Sequence, residues 1–232
     1  MIRDNIAGIK RRIDLACARA GRDAKEIITV AVSKGRTVEE MREALACGIT
    51  DIGENKVQEA ILKYNNLTSN THNLKPVKWH MVGHLQTNKA KDAVGIFDLI
   101  HSLDSLRLAQ EINRQAQRLN KIQDILIEVN TSGESSKFGV KPEEAVDVIE
   151  EISGLKNICL KGLMVIAPIA DNPEKARPYF KLLREIGDKV IQRLKTSDQR
   201  LILSMGMSDD FEVAIEEGAD IIRLGRAIFG VT

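Results

Sequence analysis

The stretch IITVAVSKGRTVEEMREAL, from Ile27 to Leu45, contains one complete structural unit. It opens with six aliphatic and β-branched residues that read as a buried strand. Lys34 stands at the strand end, and Thr37 precedes a run of helical periodicity that closes near Gly48. A buried strand that ends on a charged amine calls for a reason.

The unit recurs along the chain. Apolar runs of strand length are EIITVAVSK, TDIGEN, VKWHMVGH, DLIHSLD, DILIEVN, ICLKGLMVIA, RLILSMG and ADIIRLG. Between them lie helical segments such as NKVQEAILKY, SLRLAQEINRQAQRLN, KPEEAVDVIEEISGL, PEKARPYFKLLREIGDKVIQRLK and SDDFEVAIEEG, with QTNKAKDAVGIF the weakest candidate. Thr37, Ser105 and Ser208 stand where helix N-caps are wanted, and Gly21, Gly48, Gly154 and Gly218 where helices stop. Ahead of the first strand, Ile2, Ile6, Ile9, Ile13 and Cys17 recur at helical spacing, which predicts an amphipathic helix ending at Gly21. Eight strands alternating with helices predict right-handed βαβ units and a parallel sheet. In 232 residues that count suits a single (β/α)8 TIM-like barrel with an extra N-terminal helix, one domain over residues 1–232. An open doubly wound sheet is the alternative. The polar insertion NNLTSNTHNLKP sits before the third strand, and no linker tract divides the chain.

Composition narrows the partners. With 43% hydrophobic residues, the chain can bury one large core without staples. Lys+Arg 34 against Asp+Glu 33 points to neither nucleic acid nor a membrane surface. Cys17, Cys47 and Cys159 are far apart and form no CxxC pair, so they read as small buried hydrophobes in a reducing cytosol. No apolar run approaches the ~18 residues of a membrane helix. The N-terminus is interrupted by charges and is not a signal peptide. The expected location is cytoplasmic.

A barrel collects its chemistry where strands end. Those ends are Lys34, Asn55, His80 with His84, Ser102 with Asp104, Asn130, Met164, Ser204 with Gly206, and Arg223 with Gly225. A polar ring at one end of an apolar barrel is a binding mouth. The last two ends, in LSMGMSDDFEVAI and RLGRAIFG, combine glycines, hydroxyls and a helix start, the makings of an anion cup. The plainer reading is that the glycines only make tight turns. Lys34 has two readings as well: a lysine snorkelling to water, or a desolvated, nucleophilic Schiff-base amine. An amine facing a phosphate cup is the requirement for pyridoxal phosphate, and the first and last strands of a closed barrel are neighbours. His80 and His84 are four apart, but Gly83 and the preceding strand argue against a metal pair. Trp79 and Phe97 read as core, Glu150 and Glu151 as a solvated helix face, and Asp104 as a helix cap rather than an acid catalyst.

The segments AVSKGRT, DIGENKVQEA, WHMVGHLQTNK, EVNTSGESSKFG, GLMVIAP, SMGMSDDFEVAIEEGAD and IIRLGRAIFG resemble, in order from Val30 to Gly230, the pyridoxal phosphate homeostasis proteins. That family looks like the N-terminal barrel of alanine racemase without its second domain. The resemblance implies a cytosolic pyridoxal phosphate binder with the cofactor as an aldimine on Lys34. It implies that Ser204, Gly206 and Ser208 hold the phosphate, with backbone N–H groups of Met205 and Met207. Arg223 would face the pyridine nitrogen, Gly225 would let the chain approach the phosphate, and Asn55 and His80 would line the ring side, with Met164 at the same strand-end ring. Lys137 would stand near the ring hydroxyl or the mouth. Many relatives carry serine or threonine in place of Arg226; its guanidinium either pairs with the phosphate, the favoured reading, or swings to solvent and leaves one hydroxyl contact missing.

Three functions compete. The first is a non-catalytic, monomeric carrier that hands pyridoxal phosphate to apo pyridoxal-dependent enzymes. The second is a racemase-like pyridoxal enzyme. The third is a cofactor-free barrel enzyme with Lys34 as an aldolase-type nucleophile. Racemisation needs a second acid/base group within about 3 Å of the substrate carbon. The only tyrosines, Tyr64 and Tyr179, lie within predicted helices away from the mouth, and an arginine at the ring nitrogen weakens the electron sink. Both favour the carrier.

Overall fold

In a computed structural model, which describes residues 1–68, 76–134, 137–194 and 200–231, eight parallel strands close into a barrel in sequence order. They are β1 (Ile28–Val32), β2 (Asp51–Glu54), β3 (Lys78–Met81), β4 (Leu99–Leu103), β5 (Gln123–Glu128), β6 (Ile158–Met164), β7 (Ile202–Ser204) and β8 (Ile221–Leu224). The helices are α1 (Ile2–Ala20), α2 (Val38–Ala46), α3 (Val57–Thr68), α4 (Ala90–Ile96), α5 (Leu106–Arg118), α6 (Ala145–Ser153), α7 (Arg177–Leu194), α8 (Phe211–Glu216) and α9 (Arg226–Phe229). The barrel expectation holds and the open sheet falls, because β1 pairs with β8 as well as with β2. Most of the polar insertion before β3 lies outside the described residues.

Strand alternation sorts the core into two. Ala31, Ile52, Met81, Ile100, Leu163, Leu203 and Ile222 face the helices and join one large apolar cluster. Val30, Val82, Leu99, Leu126, Met164 and Ile221 form a small second cluster inside the barrel. α1 closes the seam between the last unit and the first. Its face of Ile2, Ile6, Ile9, Ile13 and Cys17 is buried, and it packs on α2, α8 and α9. Arg12 and Arg19 of α1 pair with Glu212 and Glu216 of α8.

Local signals held at several ends. Thr37 completes a reciprocal capping box with Glu40, Ser105 caps α5, and Gly21 ends α1 at φ 65°. Trp79 and Phe97 are buried, and Glu150 and Glu151 are exposed. Others need correction. Asp104 is no cap, since the Ser105 hydroxyl takes that place and Asp104 pairs with His84 at 3.1 Å. Ser208 does not cap α8, whose first flanking residue is Asp210; its hydroxyl accepts the Ala227 N–H instead. Gly154 does end α6, though at an ordinary helical φ of −75° rather than a left-handed one. Only Cys17 is buried, while Cys47 and Cys159 are half-buried. The four-residue α9 was not anticipated, being too short to show periodicity.

Gly162 of β6 lies against β7 so closely that a Cβ would stand 1.9 Å from the Ile202 carbonyl oxygen. Gly162→Ala is therefore expected to destabilise the fold by about 1–3 kcal/mol or more, since backbone atoms have to move. Denaturant unfolding of the two proteins measures it.

Candidate functional site

The C-terminal ends of the strands surround a cavity of about 610 Å³. Lys34, Asn55, Met207, Ser208, Arg223, Gly225 and Arg226 all line it, as does the β6–α7 loop with Ile166, Pro168 and Ile169. Seven of the residues singled out in the sequence thus meet around one space.

Lys34 is exposed and does not end the strand. β1 stops at Val32, Ser33 is fully buried, and Lys34 stands one residue further on a turn whose Gly35 has φ 68°. The turn is held from α3 and β2. Lys63 Nζ donates to the Ser33 carbonyl oxygen at 2.5 Å, to Glu54 Oε1 at 2.7 Å and to Glu59 Oε1 at 2.6 Å. The Ser33 hydroxyl donates to Glu54 Oε1 at 2.5 Å, and the Gly35 N–H to Glu59 Oε1 at 2.7 Å. Burial raises the Glu54 carboxyl, an effect that Lys63 and Ser33 offset in part. Glu59 is also disfavoured by burial, but Lys63 and the Gly35 N–H outweigh it and hold its carboxyl below the usual range. Backbone and charges on both sides of Lys34 are thereby pinned while its own side chain reaches the mouth. Arg36 adds a strap, donating to the carbonyls of Phe229 at 3.3 Å and Gly230 at 2.5 Å.

Arg223 lies on the floor of the mouth, and burial pushes its guanidinium down to about 10. It donates to Ser204 Oγ at 2.6 Å and to the Val165 carbonyl at 2.8 Å. Ser204 Oγ also meets His101 Nδ1 at 2.9 Å. His101 Nε2 meets His80 Nδ1 at 2.8 Å, and His80 Nε2 meets Asp51 Oδ1 at 2.9 Å. A polar line thus crosses the barrel interior. His101 sits where the β4–β5 register is irregular, between Ile100 and Leu103. Burial holds its imidazole well below the ordinary range, and the His80 and Arg223 charges act in the same direction.

This geometry corrects several expectations. Ser204 and His80 are fully or nearly fully buried inside the barrel and do not line the cavity. Met164 belongs to the inner apolar cluster. The Met205 N–H already donates to the Ile221 carbonyl, and the Met207 N–H to Asp210 Oδ1 at 2.6 Å, so neither is free for a phosphate. Gly206 is a packing requirement: at φ 91°, a Cβ would stand 2.6 Å from that of Ala214. Lys137 stands off the cavity, 2.9 Å from Glu134, while the neighbouring Phe138 stacks on His84 at 3.6 Å. Arg226 meets Asp209 at 2.5 Å, but the pair is 59% exposed on both sides. Such a pair is worth about 0–1 kcal/mol and does not tie Arg226 down. Asp51, His101 and Glu128 escaped the sequence reading, which took only strand ends. Their signal was a polar residue at inward parity within TDIGEN, DLIHSLD and DILIEVN.

The barrel and its mouth define a class. The family model described as the N-terminal domain of alanine racemase matches residues 5–232. A pyridoxal phosphate homeostasis protein of Aquifex aeolicus is 44% identical over 227 residues, covering 98% of this chain and 96% of that protein. The structure of PipY from Synechococcus elongatus with pyridoxal phosphate bound is 34% identical with a TM-score of 0.85, covering 99% and 100% of the two chains. An alanine racemase of Clostridium difficile shares the fold at 17% identity and a TM-score of 0.73, with 56% of its chain covered. The chain belongs to the pyridoxal phosphate homeostasis proteins, within the alanine racemase N-terminal domain family.

Glu128 ends β5 inside the barrel and is 6% exposed. Burial pushes its carboxyl up to about 7, Asp104 adds to the rise, and Arg223 offsets part of it. A folded value above the unfolded one means that the protonated form stabilises the fold. That stability is complete below the unfolded value and is lost as pH rises through 7. Wild type is expected to lose about 3 kcal/mol from this group between about pH 4 and about pH 8, and Glu128→Gln to lack that loss. Urea unfolding across the range reads it.

Proposed function

We propose that residues 1–232 act as one pyridoxal phosphate-binding barrel that carries or regulates the cofactor, and that the chain is not an efficient enzyme. One observation carries the proposal: a single cavity is lined by an amine, a buried guanidinium and an edge of hydroxyl and glycine, namely Lys34, Arg223, and Ser208 with Gly225 and Arg226. An aldehyde, a ring nitrogen and a phosphate each find a partner there. Asn55 adds to the fit. Its Oδ1 is buried without a hydrogen-bond partner among the described residues, at the wall of the same cavity. The printed name of the Aquifex relative and the cofactor named in the PipY structure favour the same ligand.

When bound, pyridoxal phosphate supplies an aldehyde and an electron-accepting ring. In this reading Lys34 would hold the cofactor through its aldehyde. Arg223 would hold the side of the ring nitrogen and, as a cation, would disfavour its protonation. The Ser208 hydroxyl accepts from the Ala227 N–H at 3.1 Å, so its own hydrogen is left for a phosphate oxygen. Arg226 offers a second, exposed cation that exchanges Asp209 for the phosphate.

The non-catalytic part rests on what the mouth offers a substrate carbon. Neither Tyr64, edge-on to Trp79, nor Tyr179 of α7 lines it. Asp209 is paired with Arg226, Asp210 accepts the Met207 N–H, and Arg36 is engaged by two carbonyls. Asp209 is freed only if Arg226 turns to the phosphate, and it then stands next to Ser208 at the phosphate edge; no other lining acid/base is unengaged among the described residues. An open mouth suits handover to apo pyridoxal enzymes.

The purified protein mixed with pyridoxal phosphate is expected to turn yellow, and borohydride to fix a pyridoxyl group on the peptide of Lys34. Label only elsewhere, with colour kept in Lys34→Ala, removes the assignment. No colour at all favours the aldolase-type reading. Alanine turnover at about 1 s⁻¹ or faster would make it an enzyme.

Ser208→Ala is expected to weaken pyridoxal phosphate retention by about 1.5–3 kcal/mol, the scale of one charge-assisted hydrogen bond. Retention of unphosphorylated pyridoxal is expected to stay the same. Equilibrium titration of both ligands checks it.

A further inference from the structure

We propose that His101, His80 and Asp51 are positioning residues for Arg223, acting with Ser204 as a one-way hydrogen-bond relay that fixes the guanidinium beneath the mouth. Its consequence for cofactor retention rests on the pyridoxal phosphate reading; the relay itself does not.

The direction of the relay follows from its ends. A guanidinium has only donors, so Arg223 donates to Ser204 Oγ at 2.6 Å. The Ser204 oxygen can accept twice, so its hydrogen is placed from the other end: Asp51 only accepts, and with neutral imidazoles every link has to donate toward it, which sends the Ser204 hydrogen to His101 Nδ1, 2.9 Å away. That leaves the His101 hydrogen on Nε2, donated to His80 Nδ1 at 2.8 Å. His80 in turn carries its hydrogen on Nε2 and donates it to Asp51 Oδ1 at 2.9 Å. A carboxylate has only acceptors, and the relay ends there, with the Thr50 hydroxyl on Oδ2 at 2.5 Å. With both imidazoles neutral, no other assignment of hydrogens satisfies all four links.

The surrounding charges fit. Burial opposes the Asp51 carboxylate, yet the bonds from His80 and Thr50 outweigh it and hold it below the usual range, with Lys78 nearby acting the same way. At the other end Glu128 and Asp210 face the Arg223 cation. His101, fully buried beside the Arg223 cation, stays neutral. The links come from β8, β7, β4, β3 and β2, so the relay braces the barrel interior from one wall to the other. Without it, Arg223 keeps only its bond to the Val165 carbonyl, and one tether lets a guanidinium pivot where two do not.

The test begins with the full chain without cofactor, labelled with ¹⁵N in histidine and arginine. Two-bond correlations are expected to show both His80 and His101 protonated at Nε2 at neutral pH. The Arg223 Nη signals are expected to be resolved by hindered rotation, and to broaden in His101→Leu and in Ser204→Ala but not in Ser204→Thr. An Nδ1-protonated tautomer at either histidine, or unchanged Arg223 signals in both disruptive variants, overturns the proposal. The second arm is pyridoxal phosphate titration of His101→Leu, Arg223→Ala and the double variant. Retention is expected to fall about tenfold in His101→Leu, with a shifted absorption band, and the same change to cost less than about twofold once Arg223 is gone. Equal losses in both backgrounds would make His101 a structural residue only and overturn the positioning role. If wild type takes up no cofactor, the cofactor reading fails, and the first arm still decides the relay.

Discussion

A guanidinium buried inside an apolar barrel has to find acceptors without water, and Arg223 is such a group. Its inward position on β8 is dictated by strand alternation, between Ile221 and the turn at Gly225. The barrel answers with Ser204, His101, His80 and Asp51 at inward positions on four other strands. Glu128, held near neutrality, adds charge only as pH rises. The apolar interior cluster is small because these side chains occupy much of the same space. A fully satisfied polar network of this kind rigidifies a core, whereas a partly satisfied one weakens it.

Lys34 is managed by the opposite means. Its side chain is left exposed while everything around its backbone is fixed. Lys63 bridges Glu54 and Glu59, and these three residues hold Ser33 and Gly35 on either side of the lysine. The result is an exposed lysine on a hydrogen-bonded turn, sharing one cavity with a guanidinium that is itself hydrogen-bonded. Such pairing suits a site that captures a small ligand and lets it go.

The seam between β8 and β1 brings the two together. The register sets Val30 opposite Arg223, which places the turns after both strands on one side of the mouth. α1 covers the outside of that seam and Arg36 straps its inside to the end of α9. Barrel closure and site assembly are therefore the same event in this fold.

Much of the architecture was legible in the sequence. Apolar runs alternating with periodic ones specify strands and helices locally, and eight such units leave the barrel as the economical way to pair every strand. The mouth was legible too, because strand ends can be read without knowing which strands meet. Lys34, Asn55, Arg223 and Gly225 were found this way. What tertiary structure alone decided was the use of each polar atom. His101 and Ser204 are 103 residues apart, and His80 and Asp51 are 29 apart, so no spacing rule connects them. Ser204 and His80 were taken for mouth residues because a strand-end position says nothing about depth, and depth is set by barrel stagger. The N–H groups of Met205 and Met207 were offered to a ligand because their partners, Ile221 and Asp210, became visible only once β7, β8 and the turn before α8 had packed. Sequence periodicity reports which face of a strand is buried, whereas a hydrogen bond requires two atoms to be brought within 3 Å or so of each other, and only the closed barrel does that.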